Sequence, residues 1–184
     1  MSKENIFIEE LQKAGRPGTD KLLAYMKEGG FFDAPCSGAY HLAQEGGLLI
    51  HSLNVLDCAR QLNKAWGTIE NDNEIIITAL LHDLGKMGDH GKANYVENIL
   101  KSGDRSASKP YITNTELAYI PHEVRSAMIA ERFITLSETE EQAILWHNGL
   151  YGSFKYDIQG KETPLYMILH FADMWAARVI EKED

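Results

Sequence analysis

The chain has 184 residues, 44% of them hydrophobic, and a formal net charge of −9 at pH 7. This length and composition are those of one globular domain with a sizeable core, so we expect a single domain over residues 1–184. The acidic balance argues against a broad nucleic-acid-binding surface, which needs clustered Lys and Arg side chains, although one small anionic substrate could still bind at a local positive site.

Helical patterns dominate the first half of the chain. The spacing of apolar residues predicts a short helix over residues 6–11 and a second helix that ends near residue 27. A third helix is predicted to begin near Gly47, and a fourth to span about residues 72–86.

The second half is interrupted by residues 90–120, which are polar and contain strand-like stretches, so a small β-hairpin is expected around residues 95–120. The last four residues, 181–184, are charged and are expected to form a solvated tail. Helices are predicted over three further ranges: residues 123–133, residues 137–147 after a capping box, and residues 164–180. The pattern as a whole therefore predicts an all-α fold.

No segment of the sequence resembles a targeting or membrane-spanning element. The first five residues lack an apolar stretch, and the longest apolar run, residues 75–81, is too short to cross a bilayer. The two cysteines, Cys36 and Cys58, form no CxxC motif and are expected to be reduced thiols. We therefore expect a cytoplasmic protein that does not bind a membrane.

The dipeptide His82-Asp83 is the most informative feature of the sequence, because it stands in an otherwise apolar run. An ionised Asp is costly to bury unless it is paired or coordinates a metal. The adjacent His offers a second ligand from the same turn. The dipeptide therefore indicates a metal centre.

Four further side chains could complete such a centre. His51, His147 and Asp173 lie on apolar helix faces, and His122 follows Pro121 at the start of a helix. Taken singly, each histidine is more often a core or capping residue, and Asp173 is as readily explained by an ion pair. Taken together they predict metal binding, and imidazole and carboxylate ligands suit first-row metals.

Two basic residues could contact an anionic substrate at this centre. Lys86 follows His82 by one helical turn, where it either binds phosphate or stabilises the helix C-terminus. Arg125, three residues after His122, is either a substrate contact or a solvated surface residue. We treat Asp83 and Lys86 as candidate catalytic residues, and Lys86 and Arg125 as candidate substrate-binding residues.

These motifs resemble the HD-domain superfamily of metal-dependent phosphohydrolases, over roughly residues 40–178. The sequence LHDLGK at residues 81–86 is similar to the signature of that superfamily. The resemblance implies an all-α HD-domain helical bundle, with residues 1–37 as an N-terminal helical extension. Four other segments resemble its remaining ligand motifs: residues 41–52, 121–123, 145–149 and 172–176.

The resemblance also implies a binuclear centre, with Fe or Mn favoured and Ni, Co, Zn or Mg as alternatives. Mononuclear nucleotidases of the superfamily lack the two additional histidines. Six ligands would be shared between two divalent ions: His51, His82, Asp83 and Asp173 for the first, and Asp83, His122 and His147 for the second.

Two groups within the superfamily fit less well. The HD-GYP cyclic-dinucleotide phosphodiesterases carry His-His-Glu and a later Gly-Tyr-Pro, whereas residues 147–152 read HNGLYG. A bacterial exoribonuclease with similar segments carries an OB domain ahead of them, for which this chain has no room.

The favoured hypothesis is hydrolysis of a phosphomonoester or phosphodiester in a small phosphorylated substrate, with a nucleotide preferred. Two alternatives remain open. One is a mixed-valent di-iron oxygenase that uses the same ligands, and the other is a non-catalytic nucleotide-binding domain.

Overall fold

Seven α-helices and four short strands make up the computed structural model, which describes residues 1–152 and 156–182. The predicted all-α fold is confirmed. The helices are α1 (Lys3–Lys13), α2 (Thr19–Glu28), α3 (Gly47–Ala65), α4 (Asp72–Leu81), α5 (His122–Glu131), α6 (Glu138–Trp146) and α7 (Pro164–Trp175).

The strands form two small antiparallel pairs between α4 and α5. Strand β1 (Gly88–Asp89) pairs with β2 (Lys92–Ala93), and β3 (Tyr95–Glu97) pairs with β4 (Tyr111–Thr113). The second pair is the hairpin predicted around residues 95–120.

Helix α4 lies at the centre of the bundle, and every residue from 75 to 81 is buried. A helix that is apolar on all sides needs neighbours on all sides, and α3, α6, α7 and α1 supply them. The N-terminal segment contributes to the same core, because Phe7 and Phe31 are fully buried with ring centroids 5.1 Å apart. The His82-Asp83 dipeptide at the end of α4 is therefore placed deep in the molecule.

The fourth helix is shorter than predicted, because α4 ends at Leu81 and not near residue 86. The amide of Gly85 donates to Ser126 Oγ on α5, at 2.8 Å, and takes no part in a helical ladder. Residues Leu84–Met87 instead form a 3₁₀ turn. Lys86 therefore lies outside α4, in the 3₁₀ turn that follows it.

The C-terminal helix changes its winding at its end. After α7, residues Ala176–Ile180 form a π-helical turn. This turn carries Glu181 back into the protein, where it is 7% exposed. The prediction of a solvated tail is therefore wrong for Glu181, whereas Lys182 is exposed and the last two residues of that tail lie outside the described residues. Across the described part of the chain, no helix has both the length and the apolar composition to span a bilayer.

Candidate metal centre

Five helices bring the six predicted ligands to one place. His51 lies on α3, His122 begins α5 and Asp173 lies on α7, while His82 and His147 are the C-cap residues of α4 and α6. Their side-chain nitrogen and oxygen atoms form three overlapping groups, each within 4.8 Å: His51 with His82 and Asp83, Asp83 with His122 and His147, and His82 with His147 and Asp173.

Each of the four histidines has an acceptor beside its Nδ1 atom. His82 Nδ1 lies 2.9 Å from the Ala79 carbonyl, and His147 Nδ1 lies 2.7 Å from the Ile144 carbonyl. These two contacts are equivalent, because each C-cap histidine donates back to the residue three positions earlier. The other two acceptors are carboxylates, Glu181 at 3.0 Å from His51 Nδ1 and Glu123 at 3.2 Å from His122 Nδ1.

A proton on Nδ1 leaves Nε2 of a neutral imidazole as a lone pair. When the four imidazoles are neutral, all four Nε2 atoms therefore present lone pairs to the same space. His51 Nε2 and His82 Nε2 lie 3.3 Å apart, a distance at which two lone pairs repel unless a cation or proton lies between them.

Asp83 stands between the two halves of the cluster. Its Oδ2 atom lies 3.4 Å from both His51 Nε2 and His82 Nε2, while its Oδ1 atom lies 3.2 Å from His122 Nε2 and 3.5 Å from His147 Nε2. Among the described residues, this buried Oδ1 has no aligned hydrogen-bond donor. An unsatisfied buried carboxylate oxygen facing imidazole lone pairs fits a metal ion.

The electrostatics of the cluster agree with that reading. Burial raises the pKa of Asp83, but the charge of Lys86 and the interactions with the surrounding histidines outweigh it and lower the pKa well below its usual range. Burial likewise lowers the pKa of His51, yet the surrounding acidic groups, including Asp173 and Glu181, raise it well above normal. Negative charge thus dominates this buried site and favours a cation.

Gly85 allows α5 to approach the end of α4. A Cβ atom at this position would lie 2.3 Å from the His122 carbonyl oxygen and 2.8 Å from Arg125 Cβ. Ser126 secures the same contact, because its hydroxyl donates to the His122 carbonyl and accepts from the Gly85 amide, both at 2.8 Å. The glycine of the LHDLGK motif thus sets the distance between Asp83 and His122.

The His170 side chain contacts the backbone of His147. The His170 Nδ1 atom lies 2.8 Å from the His147 carbonyl, and its ring stacks on Tyr166 with an interplanar angle of 7°. Gly149, with a φ of +53°, leaves room for this ring, because a Cβ there would lie 2.3 Å from His170 Cε1. His170 is therefore a neighbour of a candidate ligand and contacts its backbone.

Three further residues adjoin the centre, and none of them was predicted to be a metal ligand. Glu181 contacts His51, and the His41 ring lies 5.1 Å from the His51 ring. Cys36 is fully buried, with its Sγ atom 3.3 Å from His41 Nε2, and burial raises the pKa of its thiol to about 11. The sequence held one signal for Glu181. It is an acidic residue eight positions after Asp173, and positions i, i+4 and i+8 share a helix face.

A cavity of about 710 Å³ opens onto the cluster, and His147 and Asp173 are among the residues that line it. Three cationic side chains also line it: Lys86, Arg178 and Lys182. Lys86 Nζ lies 2.6 Å from Asp83 Oδ2, and the Arg178 guanidinium lies 5.7 Å from the centre of the Tyr151 ring. These three cationic side chains share the cavity wall with the carboxylates of Asp173 and Glu181, in a chain of net charge −9.

Arg125 occupies a different position from Lys86. It is 3% exposed and donates to the Ala118 carbonyl at 2.7 Å. It lines a second cavity of about 590 Å³, to which His122 also belongs. Its Nε atom has no hydrogen-bond partner among the described residues.

Comparison of this chain with known proteins gives one match, to a family model. The model of the HD domain family matches residues 48–173. Neither a curated protein nor a solved structure gives a significant match. The matched range contains all six clustered histidine and aspartate side chains, and it covers most of the helical bundle, so the chain belongs to the HD domain family.

Proposed function

We propose that this protein is a metal-dependent phosphohydrolase that acts on a small phosphoester, with a nucleotide preferred. Metal-dependent phosphohydrolysis is the common activity of the HD domain family. The observation that carries the proposal is the convergence of four imidazole Nε2 atoms and two aspartates beside a cavity that three cationic side chains help to line.

We propose the division of the ligands that the resemblance implies. His51, His82, Asp83 and Asp173 would hold one ion, and Asp83, His122 and His147 would hold the other. Bound divalent ions supply Lewis acidity toward phosphoryl oxygens and lower the pKa of water. Histidine and carboxylate ligands suit first-row metals. Among them we favour iron or manganese, as the resemblance implies, with nickel, cobalt, zinc or magnesium as alternatives.

The residues around the cavity suit a phosphorylated substrate. Lys86 is held at the metal centre by its contact with Asp83, so its ammonium group can neutralise charge on a phosphoryl oxygen. Arg178 and Lys182 provide further positive charge on the same wall. Arg125 remains a candidate substrate contact, through the second cavity.

Aromatic side chains favour a nucleotide over a simpler phosphoester. Tyr40 and Tyr151 line the cavity and are 86% and 74% exposed. Large exposed rings offer faces on which a base can stack. A phosphate bound near Lys86 would place an attached nucleoside within the same cavity.

The test is metal content followed by turnover. We expect elemental analysis of protein purified without a metal-affinity tag to give two equivalents of metal per chain, and the loaded protein to release phosphate or a nucleoside monophosphate from nucleotide esters. His147→Asn should lower both. His90→Asn is the matched control, because His90 is exposed, has a φ of +53° that Asn tolerates, and lies outside the cluster.

Three other results would change the assignment. Oxygen uptake by iron-loaded protein, without hydrolysis of any phosphoester, would replace the hydrolase with an oxygenase. A folded protein that binds nucleotides but neither metal nor oxygen would indicate a non-catalytic domain. One equivalent of metal that His147→Asn leaves bound would remove His147 from the ligand set.

A further inference from the structure

We infer that Glu181 is a positioning residue of the metal centre, which orients the His51 imidazole and supplies negative charge behind it. The inference rests on the proposed function, since it concerns a ligand of that centre. Glu181 lies beyond residues 48–173, the range that the family model matches, so the family match does not assign it a role.

The contact between Glu181 and His51 is short and buried. Both carboxylate oxygens of Glu181 lie 3.0 Å from His51 Nδ1, and the two side chains are 1% and 0% exposed. Asn54, one turn after His51 on α3, donates from Nδ2 to Glu181 Oε1 at 2.9 Å. Glu181 is therefore fixed by two residues of the helix that carries the ligand.

The backbone explains why Glu181 reaches this position. The Glu181 amide donates to the Ala176 carbonyl, five residues earlier, at 2.9 Å, as a π-helical turn requires. Such turns are rare, and they frequently occur at functional sites. Here the turn joins the helix that carries Asp173 to the carboxylate that supports His51, so two candidate ligands of one ion are linked through it.

The chemical consequence follows from the side of the ring that Glu181 occupies. A carboxylate beside Nδ1–H fixes the proton on that atom, keeps Nε2 free for a metal and raises the basicity of the ligand. By contrast, the other two buried histidines of the centre, His82 and His147, donate to backbone carbonyls, which carry no net charge. Of the two buried ligands His51 and His82, His51 is therefore the more strongly polarised.

The experiment measures metal affinity, which does not require turnover. Metal-free wild-type protein, Glu181→Ala and Glu181→Gln would be titrated with Mn²⁺ by calorimetry, and the melting temperature of each metal-free protein would be recorded. Glu162→Gln is the control, because Glu162 is an exposed glutamate outside the cluster.

We expect Glu181→Ala to raise the Kd for Mn²⁺ on the order of 10–100-fold, as is typical when the partner of a ligand is removed. Glu181→Gln keeps an acceptor for Nδ1–H but loses the charge, so its Kd should rise by roughly 3–10-fold, since charge-assisted hydrogen bonds are about twice as strong as neutral ones. Glu162→Gln should match the wild type.

The outcomes separate this inference from the proposed function. Wild-type Kd values in Glu181→Ala, or in Glu181→Gln if the alanine variant does not fold, would overturn the role of Glu181 while leaving the metal centre intact. A lower melting temperature with an unchanged Kd would also overturn it, because it would show that Glu181 only fastens the chain end. Failure of the wild-type protein to bind Mn²⁺ or Fe²⁺ would overturn the proposed function together with this inference.

Discussion

Two charged clusters in this molecule are arranged in opposite ways. The first, which we call the surface cluster because the Arg132 side chain is 39% exposed, is centred on the buried Asp89. Asp89 Oδ1 accepts from the Tyr25 hydroxyl, from Arg132 at 2.9 Å and from the His90 amide at 2.9 Å. The Arg132 guanidinium also lies 4.9 Å from the centre of the Tyr25 ring. In the metal centre, Asp83 Oδ1 faces two imidazoles, and no residue that the structure describes offers it an aligned donor.

The difference lies in whether the cluster is complete without a ligand. The surface cluster pairs one carboxylate with one guanidinium and several aligned donors, so its charge and hydrogen bonds are satisfied by the protein. The buried centre brings lone pairs and carboxylates together, and the cost of burying them is offset when a cation binds. Buried acceptors that face one another thus distinguish a binding site from a structural ion pair.

The largest effect is expected at the residue that joins both halves of the centre. We expect Asp83→Ala to lose metal and to show no measurable turnover, because Asp83 faces four histidines through its two oxygens. Metal analysis and phosphoester hydrolysis would be measured beside His90→Asn. Normal turnover by an Asp83→Ala protein that retains two equivalents of metal would remove Asp83 from the mechanism.

A second prediction concerns the packing that holds the centre together. Gly85→Ala should reduce the free energy of unfolding by about 3 kcal/mol, because the added Cβ overlaps the His122 carbonyl and forces the helices apart. Gly91→Ala is the comparison, since a Cβ at Gly91 meets nothing within 4 Å but its φ is +71°. That variant should lose about 1 kcal/mol, and equal losses in urea unfolding would contradict the packing argument.

Metal binding should stabilise the buried cluster and leave the surface cluster unchanged. At a free metal concentration of about 100 times Kd, the expected gain is about 2.7 kcal/mol for each bound ion, measured as a rise in melting temperature. The rise should be smaller in His147→Asn and unchanged in Asp89→Asn. If the stability of the wild-type protein did not respond to Mn²⁺, Fe²⁺ or Zn²⁺, the predicted difference between the two clusters would be wrong.

The smallest effect is expected for Asp89→Asn. Burial raises the pKa of Asp89, but the hydrogen bonds from Tyr25 and Arg132 outweigh it and lower the pKa below its usual value. A carboxyl with a lowered pKa stabilises the fold above its unfolded pKa of about 3.9, and this contribution is lost as the pH falls through the lower folded pKa.

The substitution should therefore cost about 1 kcal/mol at pH 7, since the partner Arg132 is partly exposed and screened. The difference from the wild type should shrink as the pH falls below about 4. Urea unfolding at several pH values would measure it, and a difference independent of pH would show that charge is not its source.

Sequence reasoning reached furthest where the relevant contacts are local. Ser137 and Glu140 form the predicted capping box, with both reciprocal hydrogen bonds present. The hairpin between β3 and β4 was also predicted, and so was the position of His51 on a buried helix face. The capping box and the buried helix face depend on residues a few positions apart, which a local pattern records, and the hairpin joins two strand-like stretches that are near neighbours along the chain.

The sequence by itself determined which side chains could bind a metal, because an Asp and several His residues on apolar segments are too costly to bury without a partner. The tertiary structure decided how those side chains are oriented and where the elements end. Beyond the end of α4, Gly85 binds Ser126, which is 41 residues away, and His51 is oriented by Glu181, which is 130 residues away. Such partners are chosen by the packing of whole helices, and a pattern that repeats about every 3.6 residues carries no record of them.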